Sequence, residues 1–202
     1  MHPNKAFAWK DREAALQFVS ERAFAHVFTA SDAGLFVVHA PVLVTRSGRV
    51  QFHVSRRNRI AEHLPNRPVL ISVSGREAYQ SANWYVSEDQ VPTWHYEAVE
   101  VEGTATPLST DELVELLDRL SERFENELEP ESPWTRGKMT PGKFEAMTRA
   151  IVGFEVDPFD FRGTRKFNQH KIGADLAATI EGQSRAGRED IVEAIREMTK
   201  GE

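Results

Sequence analysis

Closely spaced β-strands dominate the sequence pattern between residues 24 and 106 and restrict the folds open to the chain. Turn sequences such as Ser-Asp-Ala-Gly and Arg-Ser-Gly-Arg separate neighbouring strands, which is the spacing of hairpins. Pro41 interrupts the second strand and indicates a bend or a sheet edge. The predicted strands span residues 24–30, 35–45, 50–54, 67–75, 94–106 and 151–163, and residues 77–85 continue as a strand or an extended loop.

Helical patterns lie on either side of these strands. Ser109 and Glu112 have the spacing of a capping box, and leucines then recur at helical period, which predicts a helix over 110–128. Because strands and helices do not alternate beyond the first third of the chain, the order favours an antiparallel barrel or curved sheet with helices outside over a doubly wound parallel sheet. Further helices are predicted over residues 11–22, 55–66, 140–149, 172–181 and 188–199.

The composition is that of a globular chain of 202 residues, 40% hydrophobic and 28% charged, with a net charge of −6. This charge does not favour nucleic acid or an anionic membrane as a partner. The longest apolar stretch, residues 35–44, is far shorter than the roughly 20 residues that span a bilayer. The chain has no cysteine, and its first residues lack the apolar core of a signal peptide, so we expect a cytoplasmic protein without disulfides.

Several common chemical motifs are absent from the sequence. There is no GxGxxG or Walker loop for a nucleotide phosphate and no GxSxG nucleophile elbow. The seven histidines show no HExxH or similar spacing, and a chain without cysteine has no thiolate ligand, so no metal site is predicted. The sequence assigns no catalytic residue.

The first polar cluster is His-Val-Ser-Arg-Arg-Asn-Arg, residues 53–59, where a strand is predicted to turn into a short helix. A helix N-terminus that carries arginine and hydroxyl donors is a natural phosphate site, and Ser55 and Asn58 are available as caps. A solvated basic turn explains the same residues, because runs of charge often lie on the surface.

Two aromatic clusters follow along the chain. Residues 74–85 combine small polar donors with aromatic faces, as a pocket for a heteroaromatic ligand does. At the start of the strand 94–106, Trp94, His95 and Tyr96 stand side by side, and Glu97 is expected on the polar face of that strand. Inward packing of core aromatic side chains is the alternative explanation of both clusters.

The fourth cluster, residues 162–171, follows the last predicted strand. Its sequence, RGTRKFNQHK, contains four lysines and arginines and no acid, and Asn168 and Gln169 add amide groups. These residues either complete an anion site from a distant part of the chain or form a solvated loop.

Taken in order, these motifs resemble the PaiB-type family of FMN-binding negative transcriptional regulators. The resemblance covers roughly residues 7–185, and its most specific segments are AYQSANWY and VPTWHYEAV. The stretch KFNQHK resembles the lysine-serine-glutamine-asparagine signature of the family. The other segments that carry the resemblance are HVSRRN, Gly103 and IVGFEV.

The resemblance implies a fold, a cofactor and a partner. Members of the family have a split β-barrel of the pyridoxamine-phosphate-oxidase type, act as homodimers and hold FMN at the subunit interface. For this chain the resemblance implies a mainly β fold with flanking helices, a six-stranded antiparallel split β-barrel of the FMN-binding type. That domain is expected over residues 1–165, with inserted helices at 110–149 and a C-terminal helical extension at 166–202.

The resemblance also implies that the four clusters form one FMN site. Arg56 and Asn58 are expected to hold the phosphate, and Lys166 and Gln169 to close the site. The flavin is expected to be flanked by Ser74, Tyr79, Ser81 and Trp84. Its other wall is expected to be formed by Thr93, Trp94 and Tyr96, in part from the partner chain.

The sequence departs from the family pattern around this expected site. Arg76 and Glu77 replace Pro-His, His95 replaces Asn, and Asn168 replaces Ser. The residues before Trp84 are Ala-Asn where Ser-Pro is usual. These substitutions bear on how the site holds FMN and leave the expected fold unchanged.

Three functions follow from these expectations. The resemblance implies a transcriptional regulator, although the acidic chain shows no helix-turn-helix with a basic recognition helix that would support DNA as a partner. The second is a flavin-dependent oxidoreductase acting on a small molecule, in which the flavin carries the chemistry. In the third, the barrel binds another ligand such as haem, and His53, His95 and Tyr96 are the contact or axial residues.

Overall fold

The computed structural model describes residues 2–199, so that Met1 and residues 200–202, the end of the predicted C-terminal extension, lie outside the described residues. None of the helices in the described part of the chain is long and apolar enough to cross a membrane. The strands are β1 (Ala8–Trp9), β2 (Phe24–Ser31), β3 (Gly34–Val44), β4 (Val50–Ser55), β5 (Arg67–Gln80), β6 (Thr93–Pro107) and β7 (Ile151–Lys166). The α-helices are α1 (Arg12–Arg22), α2 (Thr110–Leu128), α3 (Lys143–Thr148), α4 (Gly173–Arg185) and α5 (Glu189–Thr199).

The strands form one sheet in the order β1-β7-β4-β3-β2-β5-β6, and β6 pairs with β7 as well. This second pairing joins the two ends of the series, so that β2 to β7 form a closed ring of hydrogen-bonded strands. The pairs β1–β7, β2–β3, β2–β5, β3–β4 and β4–β7 are antiparallel. The predicted six-stranded antiparallel barrel with flanking helices is confirmed.

The chain divides into two compact units. Within residues 2–199, unit 1 comprises the residues up to Ala15, Ser74–Val99 and the residues from Arg162 onward, and unit 2 comprises Leu16–Val73 and Glu100–Phe161. The strands β5, β6 and β7 each contribute one end to unit 1 and the other to unit 2. The predicted division into a barrel domain, 1–165, and an extension, 166–202, stays a prediction.

The core of unit 2 joins the sheet to the apolar face of α2. Phe52 on β4 and Phe154 on β7 are register partners, and their buried rings stack with centroids 5.5 Å apart. The predicted capping box is present, because Ser109 Oγ accepts from the backbone N of Glu112 and the Glu112 carboxylate accepts from the backbone N of Ser109. α2 packs its buried Leu113, Leu116 and Leu120 against Leu43 of β3.

The core of unit 1 lies under α5. This helix buries Ile191, Ala194 and Ile195 against Ala78 of β5 and Phe167, which directly follows β7. Burial of a large apolar side chain stabilises a fold by about 1.5–3 kcal/mol relative to exposure. The C-terminal helix is therefore an integral part of unit 1.

The predicted helix over residues 55–66 is wrong, since only Ala61–His63 form a 3-10 turn there. Asn58 Oδ1 accepts a hydrogen bond from the backbone N of Ile60 at 3.1 Å, and such a local bond competes with helix formation. Asn66 then adopts a left-handed conformation with φ of 56°. This segment therefore offers arginine side chains but no helix N-terminus.

Two boundaries also differ from the predictions. β5 runs without a break over Arg67–Gln80, so the segments predicted at 67–75 and 77–85 are one strand as far as Gln80. α3 begins at Lys143 rather than at residue 140, because Gly142 has φ of 78°, a conformation outside the right-handed helix.

Around Glu97, near its start, β6 alternates in the opposite sense to the prediction, whereas Val99 and Val101 are buried as predicted. The odd-numbered residues from His95 to Ala105 are buried, whereas Trp94 is 55% exposed. Glu97 is 4% exposed, although the sequence places it on the polar face. A buried carboxylate is tolerated there because it forms ion pairs with Arg76 at 3.0 Å and Arg165 at 3.4 Å.

Candidate functional site

An exposed aromatic pair lies on unit 1, on neighbouring strands. The rings of Tyr79 on β5 and Trp94 on β6 meet edge to face, with centroids 5.9 Å apart. Tyr79 is half exposed and Trp94 slightly more so, because strand alternation points them away from the buried Ala78 and His95. Two predicted site residues are thus brought together as a surface that can contact a planar ligand.

A partly buried cation lies close to the start of β6. Lys166 Nζ donates a hydrogen bond to Thr93 Oγ1, which joins two further predicted site residues. Partial burial lowers the pKa of Lys166, since the charged form loses water. No carboxylate within residues 2–199 forms an ion pair with this ammonium group, so it can bind an added anion.

A cavity of about 190 Å³ opens beside Lys166 in unit 1, and the cationic Lys171 and the imidazole of His170 also line it. Lys171 Nζ donates to Gln90 Oε1 at 2.6 Å and lies 4.8 Å from the ring centroid of Tyr85. Burial, with the charges of Lys171 and Lys166, lowers the pKa of His170. The cavity suits a small anionic or strongly polar group.

Gln169, predicted to close the site, makes its hydrogen bonds to the backbone. Its Oε1 accepts from the backbone N of Phe167 at 2.8 Å. Its Nε2 donates to the carbonyls of Arg165 at 2.7 Å and Ala6 at 3.2 Å. Gln169 therefore fixes the chain that carries Lys166 into the cavity.

The other predicted residues of unit 1 lie at the end of β5 and on β6. Ser81 Oγ accepts from the backbone N of Asn83 at 3.2 Å and so caps a 3-10 turn. The indole of Trp84 lies directly on α4, because a Cβ atom added at Gly182 would be 2.3 Å from its Cε3. Ser74 is exposed on β5, and Tyr96 is half-buried on β6.

Unit 2 carries the three remaining predicted residues. Arg56 Nε donates to the carbonyl of Arg149 at 3.0 Å, and its two terminal nitrogens have no hydrogen bond within the described chain. Asn58 uses its Oδ1 in the turn and has no such bond from its amide nitrogen. His53 Nδ1 is buried without a hydrogen-bond partner among residues 2–199, and burial lowers the pKa of His53.

A buried ion-pair network in unit 1 was missed by the sequence analysis. Arg76 Nε donates to Glu97 Oε1 at 3.0 Å, and its Nη2 reaches Glu197 of α5 at 3.1 Å. Arg165 pairs with the same Glu97 carboxylate and lies 3.5 Å from the ring centroid of Trp9. No local pattern identifies these partners, because they lie on four separate segments.

Two buried amide side chains lie beside His95, which the sequence singled out as a neighbour of Trp94, as a departure from the family pattern and as a possible haem contact. Its Nε2 lies 3.0 Å from Gln80 Oε1, which also accepts from Gln183 Nε2 of α4 at 3.2 Å. All three side chains are fully buried. Burial lowers the pKa of His95 to about 4, so the imidazole is neutral at pH 7.

The family described as "Putative FMN-binding domain" matches residues 1–158. The chain belongs to this family. The protease synthase and sporulation protein PAI 2 of Bacillus subtilis (strain 168) is 30% identical over 187 residues, which are 90% of this chain and 88% of that protein. Both matches confirm the PaiB-type resemblance predicted from the motifs.

Two solved structures share the fold. The flavocytochrome Anf3 of Azotobacter vinelandii has a TM-score of 0.62 at 15% identity, with 82% of this chain and 72% of that chain covered. The FAD and heme binding protein of Mycobacterium smegmatis has a TM-score of 0.59 at 14% identity, with 79% and 73% covered. At these identities the likeness concerns the fold alone.

The residues present fit the chemistry of FMN. A flavin phosphate needs cationic or hydroxyl donors, and Arg56 and Lys166 each carry donors that no carboxylate neutralises within residues 2–199. A flavin ring needs a flat apolar or aromatic contact, and Tyr79 and Trp94 provide one at the surface.

Proposed function

We propose that the protein is an FMN-binding split-barrel protein. The observation that carries this proposal is the family match over residues 1–158, which spans the predicted phosphate and aromatic residues. Bound FMN supplies hydride and electron transfer chemistry.

Each set of side chains has a role in this proposal. Arg56 and Asn58 bind the phosphate through nitrogens that are free of other bonds in the described chain. Tyr79 and Trp94 contact the ring, because their exposed faces are already held edge to face. Lys166 donates to an oxygen of the cofactor from the position that its contact with Thr93 fixes.

The remaining predicted contacts form the rim of the proposed site. Gln169 positions Lys166 through its three backbone hydrogen bonds. The side chains proposed to complete the rim are His53, Ser74, Ser81, Trp84 and Tyr96.

Titration of the FMN-free protein with FMN, monitored through the quenching of flavin fluorescence, tests the assignment. Arg56→Ala and Trp94→Ala are each expected to weaken binding about tenfold, since one charge-assisted hydrogen bond or one aromatic contact is lost. The matched controls, Arg46→Ala and Trp134→Ala, change residues outside the predicted site and are expected to bind like the wild type. Unchanged affinity in both test variants would refute these roles, and a wild type that binds no FMN would refute the cofactor.

A homodimer is part of the proposal, and an apolar face on unit 2 supports it. Phe28 on β2 lies opposite Val37 on β3, and Leu35 beside them is 83% exposed. His26 and His39 meet at the centre of the face with ring centroids 4.5 Å apart. No Asp, Glu, Lys or Arg occupies the outward positions 24, 26, 28 and 30 of β2 or 35, 37, 39 and 41 of β3.

This face suits a second copy of the chain, because an uncharged, mostly apolar patch can pack against itself across a two-fold axis. Light scattering during size-exclusion chromatography is expected to give twice the chain mass for the wild type and the chain mass for Phe28→Glu. The exposed Glu115→Gln on α2 is the control. A dimer that survives Phe28→Glu would place the interface elsewhere.

Transcriptional regulation is the downstream role that the family resemblance implies. A salt-dependent mobility shift with DNA upstream of its own gene, with and without FMN, tests this role.

Flavin reduction by a nicotinamide donor and reoxidation by a small molecule would favour the oxidoreductase instead. Haem absorbance after reconstitution would favour the third function. A cytoplasmic location, consistent with a chain without cysteine, completes the proposal.

A further inference from the structure

A cleft of about 350 Å³ lies in unit 2, where the first turns of α2 face α3 and the turn after β4. This volume is near the lower end of small-molecule sites, which span roughly 300–1,000 Å³. None of its lining residues except Arg56 belongs to the predicted FMN site. The lining residues are Arg56, Thr110, Leu113, Val114, Arg136, Phe144, Glu145, Thr148 and Arg149.

The charge of the cleft is positive, although the chain as a whole has a net charge of −6. Three arginines line it against one carboxylate, that of Glu145. Arg136 pairs with Asp118 at 3.3 Å. The side chain of Arg149 forms no ion pair or hydrogen bond within residues 2–199, so its five N–H donors are available to an anion.

The other wall of the cleft is apolar. Leu113 is buried and Val114 is half-buried on α2, and Phe144 of α3 lines the same cleft. The guanidinium of Arg136 lies over this ring, 5.4 Å from its centroid. Thr148 donates its hydroxyl to the carbonyl of Phe144 at 2.9 Å, so that donor is not offered to a ligand.

We infer that this cleft binds a small amphipathic monocarboxylate, an aromatic acid or a short fatty acid. The carboxylate lies between Arg149 and Arg136, because a guanidinium binds the two oxygens of a carboxylate in a planar, paired geometry. The ring or chain lies on Val114 and Phe144. The carboxylate of Glu145 in the lining disfavours ligands with a second negative charge, which selects a monoanion over a dianion such as a phosphate ester.

The inference goes beyond FMN binding and does not depend on it. Arg56 is common to the cleft and to the predicted phosphate contacts, and its Nε is held by the carbonyl of Arg149. The test therefore changes Arg149 and Val114, which have no predicted contact with FMN, and leaves Arg56 intact.

Isothermal titration of the full chain with salicylate tests the site, and salicylamide, its neutral amide, is the matched ligand control. Salicylate is expected to bind saturably at one site per chain and salicylamide at least tenfold more weakly. Octanoate, the probe of the fatty-acid class, is expected to compete with salicylate. Equal binding of salicylate and salicylamide, or no saturable binding of salicylate and octanoate up to 5 mM, would overturn the inference.

Protein variants locate the site. Arg149→Gln is expected to weaken salicylate at least tenfold, because a charge-assisted pair of hydrogen bonds is lost, and Val114→Glu to abolish binding by placing a carboxylate in the cleft. Arg46→Gln, on the turn before β4, is the control and is expected to bind like the wild type. Circular dichroism and the unfolding midpoint show whether each variant is folded. Unchanged salicylate affinity in folded Arg149→Gln and Val114→Glu would refute the location.

The FMN titration separates this site from the proposed cofactor site. Arg149→Gln is expected to keep its FMN affinity while it loses salicylate. If FMN and salicylate compete for the wild type, the cleft belongs to the cofactor site and the inference of a second site is wrong. If the wild type binds salicylate but no FMN, the cleft stands and the proposed function fails.

Discussion

Replacement of the buried Glu97 by Gln tests the ion-pair network that organises unit 1. The carboxylate accepts from the backbone N of Arg76 at 3.2 Å and from its Nε at 3.0 Å, and it pairs with Arg165 at 3.4 Å. The substitution keeps the shape of the side chain but removes its charge. It also turns one acceptor into an NH₂ donor that faces guanidinium donors.

The size of the effect follows from burial. Removal of one partner from a buried ion pair costs about 3–5 kcal/mol, because the remaining charge has no partner. Glu97 is 4% exposed, but the side chains of Arg76 and Arg165 are 24% and 25% exposed and can regain some water. We therefore expect Glu97→Gln to lower the free energy of unfolding by about 2–3 kcal/mol, below the range for full burial. That loss corresponds to a fall of roughly 4–12 °C in melting temperature.

Urea unfolding followed by tryptophan fluorescence measures this change. Glu115→Gln removes an exposed carboxylate from α2 and is expected to shift stability by less than about 0.5 kcal/mol. The double variant with Arg76→Met should lose less than the sum of the two single losses, because the interaction is already broken. Additive losses, or equal losses for Glu97→Gln and Glu115→Gln, would refute the network as a source of stability.

Three further changes have expected outcomes that urea unfolding can measure. Gly103→Ala should cost about 3 kcal/mol, since its Cβ would lie 2.4 Å from Cγ1 of Val156 and 2.7 Å from a backbone carbonyl oxygen. Gly182→Ala should cost about 1–2 kcal/mol and shift the emission of Trp84, because the new Cβ meets the indole while the helix gains propensity. Burial lowers the pKa of His95 from 6.5 to about 4, so the unfolded chain takes up a proton at a higher pH than the folded chain does. The free energy of unfolding therefore falls by about 3 kcal/mol as the pH is lowered from 6.5 to 4. His95→Gln should remove this part of the pH dependence.

The Gly103 and His95 predictions each have an outcome that would contradict them. Gly137→Ala places its Cβ 3.6 Å from Thr135 Oγ1, an ordinary contact, and should leave stability nearly unchanged. Equal stability of the Gly103 and Gly137 variants would contradict the close approach of β6 and β7 in unit 2. A His95→Gln protein with the same pH profile as the wild type would show that other groups govern acid unfolding.

Local pattern was sufficient for most of the fold. α2 begins and ends at the predicted residues, because its capping box and leucine period are both encoded within the helix. The hairpin β2–β3 was equally predictable, since a turn with Gly34 at φ of 120° separates two runs of β-forming residues. The 55–66 segment was mispredicted because a single side chain, Asn58, forms a turn that periodicity does not reveal.

The candidate site was only partly visible in the sequence. The pairing of Tyr79 with Trp94 and of Thr93 with Lys166 joins residues that motif order had already grouped. The position of Glu97 on β6 was misassigned, because a glutamate in a strand is expected to face solvent unless its distant partners are known. Those partners of Glu97 come from residues 76 and 165, far apart along the chain.

Two of the departures from the family pattern turn out to contact the C-terminal helices of unit 1. Arg76 reaches Glu197 of α5 at 3.1 Å as well as Glu97. Asn168 Nδ2 donates to Thr179 Oγ1 of α4 at 3.3 Å and to the hydroxyl of Tyr85 at 2.8 Å. Both side chains are thus engaged inside unit 1.

His95, a third departure, is also connected to a C-terminal helix, because Gln80 links it to Gln183 of α4. A buried polar side chain is stable only when its partners are in place, so each such substitution depends on a matching residue in α4 or α5. Removal of such a partner side chain should therefore lower the free energy of unfolding as much as replacement of Arg76, His95 or Asn168 by the usual family residue. Gln183→Leu removes the donor that binds both Gln80 Oε1 and the carbonyl of Tyr79, and should lower the free energy of unfolding. We accordingly place the effect of these three substitutions on the packing of the C-terminal helices, and the exposed Tyr79 and Trp94 remain the residues of this region that are proposed to contact the flavin.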